Sequence, residues 1–255
     1  MKKYIPQIVL VGFIILNILF GWYITIFPQV LVWLTSILLV SLWVTIWIIS
    51  SLSPKHLNFY WQLVAPTLFL IAATIFYIFF NTPLLQKIFW LLVSLGLAVY
   101  LYNMWLFYKK PARYQAFTLE NFSWYLHLAS SFLFTSALFG LIVFINLPTL
   151  YAILLIMIFC ALIFMQMWWI QKLDTPLRWW WLGVYVIVGT EFFVVLKMLP
   201  FSFYLLGFWW TGIWYLLTSF IFTFSKDTFV IKKFLLHALV ILSICVALTL
   251  TTKFF

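Results

Sequence analysis

The sequence predicts an all-α integral membrane protein: a nine-span helical bundle with no soluble domain. Three observations predict it. Of 255 residues, 67% are hydrophobic and only 7% are charged, with a mean hydropathy of +1.19. Soluble domains carry about 25% charged residues, and their surface-to-volume scaling leaves too little interior to hide so much apolar surface. The apolar residues also fall in runs of about 20 or more, the length that crosses a bilayer. Finally, the basic residues alternate between rich and poor connections, as the positive-inside rule requires.

Spans are expected at about 5–26, 29–50, 60–80, 86–107, 121–145, 148–170, 178–198, 202–224 and 232–252, within one polytopic domain over 1–255. The first run follows Met1-Lys2-Lys3, as in a signal peptide. It continues to about Phe27 with no small-residue cleavage pattern, so it reads as a retained span. The third and fourth spans tolerate Pro66 and Asn103. The longest connection, Tyr108 to Glu120, has 13 residues. Cys160 and Cys245 both lie inside apolar runs and read as small hydrophobes.

With a cytoplasmic N-terminus, one side receives Lys2, Lys3, Lys55, Lys109, Lys110, Arg113, Lys172, Arg178, Lys226, Lys232 and Lys233, which is 11 of 14 basic residues. The other side receives Lys87, Lys197 and Lys253. The expectation is a cell-membrane protein (the inner membrane, if bacterial) with its C-terminus outside. The net charge of +10 then orients the chain and meets anionic headgroups, so the bilayer is the expected partner and nucleic acid is not. Lys109, Lys110 and Arg113 form the run best placed for headgroup contact.

Each predicted outer connection contains one proline: Pro28, Pro83, Pro148 and Pro200. Proline suits the first position of a helix and stops a preceding one. The chain therefore reads as four hairpins that open at the cytoplasm, plus a final span. Tryptophans near the ends of spans, including Trp22, Trp33, Trp90, Trp47, Trp105, Trp168, Trp179 and Trp180, read as interfacial anchors. Trp209, Trp210 and Trp214 fall within the eighth span, where packing is the simplest role.

Polar residues inside spans are the candidates for function. Glu191 is the only acidic residue within an apolar run, and intramembrane ionisable groups usually face a bundle interior. At about 1.5 Å per residue it lies about 20 Å from the Arg178 end. Asn17, Ser94, Ser136 and Thr211 come out at about 18–21 Å, an expected layer around it. A second layer, about 6–9 Å from the cytoplasmic interface, would hold Asn103, His127, Gln166 and His237. Glu120, at the start of the fifth span, joins it through a stripe. Glu120, Ser123, His127, Ser130 and Ser131 are spaced three, four, three and four residues apart, so they share one helical face. Lys197 is six positions from Glu191, about 240° around the helix, so any partner of the carboxyl must come from elsewhere.

The sequence has no phosphate-binding glycine loop, no zinc-protease motif and no nucleophile elbow. No catalytic residue, metal or cofactor is expected. The leading expectation is a non-catalytic membrane component: accessory, scaffold or lipid-interacting. A secondary transporter coupled through Glu191 is the alternative, and an intramembrane lipid-modifying enzyme using His127 and Glu120 is the third.

Overall fold

The computed structural model describes residues 5–51, 59–171, 178–225 and 231–251. Lys2, Lys3, Lys55, Lys172, Lys226 and Lys253 of the charge pattern lie outside them, as does the side chain of Lys233. Among the described residues there are nine helices long and apolar enough to cross a membrane. They are α1 (Ile5–Ile26), α2 (Leu31–Ser51), α3 (Phe59–Tyr77), α4 (Pro83–Lys109), α5 (Thr118–Ile145), α6 (Thr149–Ile170), α7 (Arg178–Lys197), α8 (Phe203–Ser225) and α9 (Ile231–Thr251). Most bounds match the expected spans to within three residues.

The prolines explain where several helices begin. Pro28 opens a 3-10 turn before α2, Pro83 is the first residue of α4, and Pro148 caps α6. At each such position the missing N–H has no helical partner to lose. Asn146 closes α5 in the left-handed region, at φ 55°, which asparagine tolerates at a helix C-terminus.

The chain forms two compact units, Met1–Ser130 and Ser131–Phe255, and the division falls inside α5. In the first unit α1 packs on α2 and α4, α2 also meets α3 and α4, and α3 lies against α4. The tie between α1 and α4 is a clasp of four residues. Gly21 has no side chain, and a β-carbon there would collide with the indole of Trp90. The ring occupies that space, and its N–H donates to the backbone carbonyl of Asn17, one turn earlier, at 2.7 Å. The Ser94 hydroxyl lies 2.7 Å from Asn17 Oδ1 and 2.8 Å from the Trp90 carbonyl, and can donate to either. Asn17 and Gly21 are four residues apart, as are Trp90 and Ser94, so each helix offers one face. Trp90 is 1% exposed, so it is a core residue and not an interfacial anchor. Trp105 and Trp168 are likewise buried, whereas Trp22, Trp33, Trp47, Trp179 and Trp180 are exposed as anchors would be.

In the second unit α7 packs between α6 and α8, and α8 also meets α9. A second indole-to-carbonyl bond ties α8 to α7. The Trp210 indole donates to the Gly189 carbonyl at 3.0 Å, and Gly189 faces the Cys160 thiol. Tyr185 lies 3.2 Å from the Thr218 hydroxyl, which itself donates to the Trp214 carbonyl at 2.7 Å. Trp210 and Trp214 are buried packing residues, and Trp209 donates to Thr249 on α9 at 3.0 Å. Phe139 stacks on Phe193, and Phe134 on Phe159, with centroids 4.5 and 4.3 Å apart.

Gly21→Ala should overpack the clasp and cost about 1–3 kcal/mol. Trp90→Phe removes one interhelical hydrogen bond, about 0.6 kcal/mol on average in membranes. Thermal unfolding in detergent should therefore rank Gly21→Ala below Trp90→Phe. The reverse order would show that close approach is not what holds α1 to α4.

Candidate functional site

The polar residues are distributed between the two units. In the first, Asn17 and Ser94 are brought together in the clasp. In the second, Ser136 and Thr211 both meet Gly207. The glycine leaves room for the Ser136 side chain, and Thr211 donates to the Gly207 carbonyl at 2.8 Å. All four are buried. Glu191 departs from the layer expected around it, because it is exposed on α7. The buried stripe of that helix is Tyr185, Gly189, Phe193 and Leu196. The exposed stripe is Trp180, Val184, Ile187, Glu191, Val195 and Met198, at spacings of four, three, four, four and three. The carboxyl therefore stands within an otherwise apolar outward face. Lys197 donates to the Thr149 hydroxyl on α6.

The stripe on α5 points inward: Ser123, His127, Ser130 and Ser131 are buried and Glu120 is half-buried. Several of its hydroxyls fold back on their own helix, Ser123 to the Leu119 carbonyl at 2.9 Å and Ser130 to the Leu126 carbonyl at 2.6 Å. Asn103 is half-buried and donates to the Val99 carbonyl of its own helix at 2.9 Å. Gln166 is fully buried, and neither end of its amide has a hydrogen-bond partner among the described residues. His127 is fully enclosed, while His237 is exposed on α9.

Glu120 belongs to a turn at the start of α5. The Tyr114 hydroxyl donates to Glu120 Oε2 at 3.0 Å and accepts the Leu119 N–H at 2.9 Å, so one phenol caps the start of α5. Burial, with the nearby Glu120 charge adding to it, pushes the Tyr114 hydroxyl up to about 12. It therefore stays protonated at neutral pH and remains a donor to the carboxylate.

A further constellation centres on Gln62 and was not anticipated among the candidate residues. Pro66, inside α3, has no N–H for the carbonyl four residues earlier, which is that of Gln62. A stranded carbonyl in a membrane interior is costly. Tyr100 of α4 fills the gap: its hydroxyl donates to the Gln62 carbonyl at 2.7 Å. Tyr108, two turns further along α4, donates to Gln62 Oε1 at 2.8 Å. All three side chains are buried. The one sequence signal was the coincidence of Gln62 and Pro66 at i and i+4 within a span. The network directs its donors at its own backbone and amide, which is the chemistry of helix tethering. Among the described residues no three His, Cys, Asp or Glu side chains cluster as a metal site would require.

Tyr100→Phe should leave the Gln62 carbonyl unpaired and cost about 1–3 kcal/mol. Pro66→Ala restores an intrahelical N–H donor, so the same Tyr100→Phe change should cost much less in that background. Equal costs in the two backgrounds, measured by unfolding in detergent, would break the link between the proline and the tyrosine. Comparisons of the chain with known protein families, with curated proteins and with solved structures give no match.

Proposed function

We propose that this chain is a non-catalytic component of a membrane assembly, and that it docks a partner span on the exposed stripe of α7 through Glu191. In this reading the N-terminus is cytoplasmic, the basic connections lie on that side, and the helices insert as outward-turning hairpins. The exposed carboxyl on α7 is the observation that carries the proposal. A carboxylate at a helix centre costs about 2.5–3.5 kcal/mol or more to insert. A protonated one still presents a donor and an acceptor that hydrocarbon cannot satisfy. Glu191 lies about 9 Å of helix rise inside the Lys197 end, within reach of the apolar region. Among the described residues no hydrogen bond or ion pair reaches its side chain. A neighbouring span with a hydrogen-bonding side chain at that depth would supply one. The surrounding stripe, with its steps of three and four, has the spacing of a helix-packing seam.

The transport reading draws support from the same carboxyl, but a coupling group works from a water-filled path. Proteoliposomes distinguish the two. Under the docking proposal, wild type and Glu191→Gln should conduct protons no faster than empty vesicles. Flux that depends on Glu191 would establish transport instead. A photocrosslinker at Ile187 or Val195, in native membranes, should trap one membrane protein of defined mass. Glu191→Leu should weaken that association about tenfold, the scale of an interhelical hydrogen bond of about 1–2 kcal/mol. Glu191→Gln should retain most of it. Capture of lipid alone, or equal capture by the leucine variant, would remove the docking role.

A further inference from the structure

Away from α7, a groove of about 460 Å³ lies between the first turns of α1 and the last turns of α4. Two ends of the chain's topology meet there. Trp22, near the end of α1, lies under Lys87 near the start of α4, so the two helices run antiparallel. The start of α1 and the end of α4 thus share one side, the side that the positive-inside pattern assigns to the cytoplasm.

The groove has two chemically different parts. Its apolar wall is Leu10 and Val11 on α1 and Leu106 on α4. Val11 is 52% exposed, as a surface against acyl chains would be. Its polar end is Gln7, Lys110 and Arg113. The backbone explains why both cations are present. Lys110 caps α4, with its N–H donating to the Leu106 carbonyl at 2.9 Å. Pro111 then starts a 3-10 turn, closed by the Arg113 N–H on the Lys110 carbonyl at 2.9 Å. That turn returns Arg113 to the groove that Lys110 already lines. The Lys110 ammonium sits 4.7 Å from the centre of the Trp105 ring, which fixes the flexible chain over the groove. Among the described residues no acidic side chain lines it, and Glu120 is engaged by Tyr114. Lys109, the third member of the basic run, is half-buried and does not line the groove.

We propose that this groove binds one anionic phospholipid. Its phosphodiester sits on Lys110 and Arg113, the Gln7 amide hydrogen-bonds the headgroup, and an acyl chain lies over Leu10, Val11 and Leu106. Two cations facing an uncompensated opening select negative charge. A guanidinium presents the paired donors that suit phosphate oxygens. The apolar wall continuing from the charged end distinguishes a lipid from a free anion, which has no use for it.

Native mass spectrometry of the full-length protein in detergent, titrated with phosphatidylglycerol, phosphatidylcholine or inorganic phosphate, tests this. Wild type should retain one phosphatidylglycerol, in preference to phosphatidylcholine. Lys110→Gln with Arg113→Gln should weaken its retention about 30-fold, from about 1 kcal/mol per basic contact. Lys87→Gln with Lys232→Gln removes the same charge elsewhere and should change little. Val11→Trp fills the apolar wall, leaves both cations in place, and should also release the lipid. Added phosphatidylglycerol should raise the thermal midpoint of wild type but not of the groove variants, which separates loss of binding from loss of fold. Equal loss in the two charge variants would reduce the site to general electrostatic attraction. Displacement by inorganic phosphate at comparable concentration would make it a small-anion site. Undiminished retention by Val11→Trp would overturn the acyl-chain assignment.

Discussion

A backbone N–H or carbonyl placed in hydrocarbon must find its partner within the protein. That constraint governs this structure more than any single apolar contact. Helices this apolar are compatible with a bilayer, where the hydrophobic effect would give them little reason to prefer one another. What distinguishes the observed neighbours is a small set of donors aimed at backbone carbonyls. Trp90 reaches Asn17, Trp210 reaches Gly189, and Tyr100 reaches Gln62. In two of the three a glycine is close by. At Gly21 the missing β-carbon makes room for the indole, whereas at Gly189 it makes room for the Cys160 thiol. In the third, a proline creates the acceptor that the tyrosine then satisfies.

Helix positions were legible because a span is a matter of length and composition, and both are local. Proline positions marked helix starts for the same reason. The inward face of α5 was also legible, since Ser123, His127, Ser130 and Ser131 follow the helical period. Partnership between helices was not. Depth arithmetic placed Asn17 and Ser94 at similar heights, which the clasp agrees with, but it placed Glu191 beside them with equal ease. Height along a helix says nothing about azimuth. The direction in which a side chain points is set by which face of its helix is apolar and small enough to pack. On α7 that face is Tyr185, Gly189, Phe193 and Leu196, so Glu191 points the other way.

Trp90 shows the same limit from the other side. Near the end of a span, a tryptophan anchor and a tryptophan wedge have identical sequence contexts. Gly21 decides between them, from 69 residues away. The basic run after α4 was legible as a cluster of cations beside a helix end. Its division of labour, with Lys110 and Arg113 at the groove and Lys109 apart, follows from the geometry of one 3-10 turn.

The clasp also has a consequence in time. Asn17 is synthesised 77 residues before Ser94. At about 5–20 residues per second, α1 emerges roughly 4–15 seconds before the partner of its amide exists. During that interval the Asn17 side-chain carbonyl has no Ser94 hydroxyl to accept from. Arrival of α4 supplies that hydroxyl, together with the indole that bonds the Asn17 backbone carbonyl. The fourth helix therefore completes the packing of α1, and a chain cut just before it would lack both the Trp90 and the Ser94 contacts of the clasp.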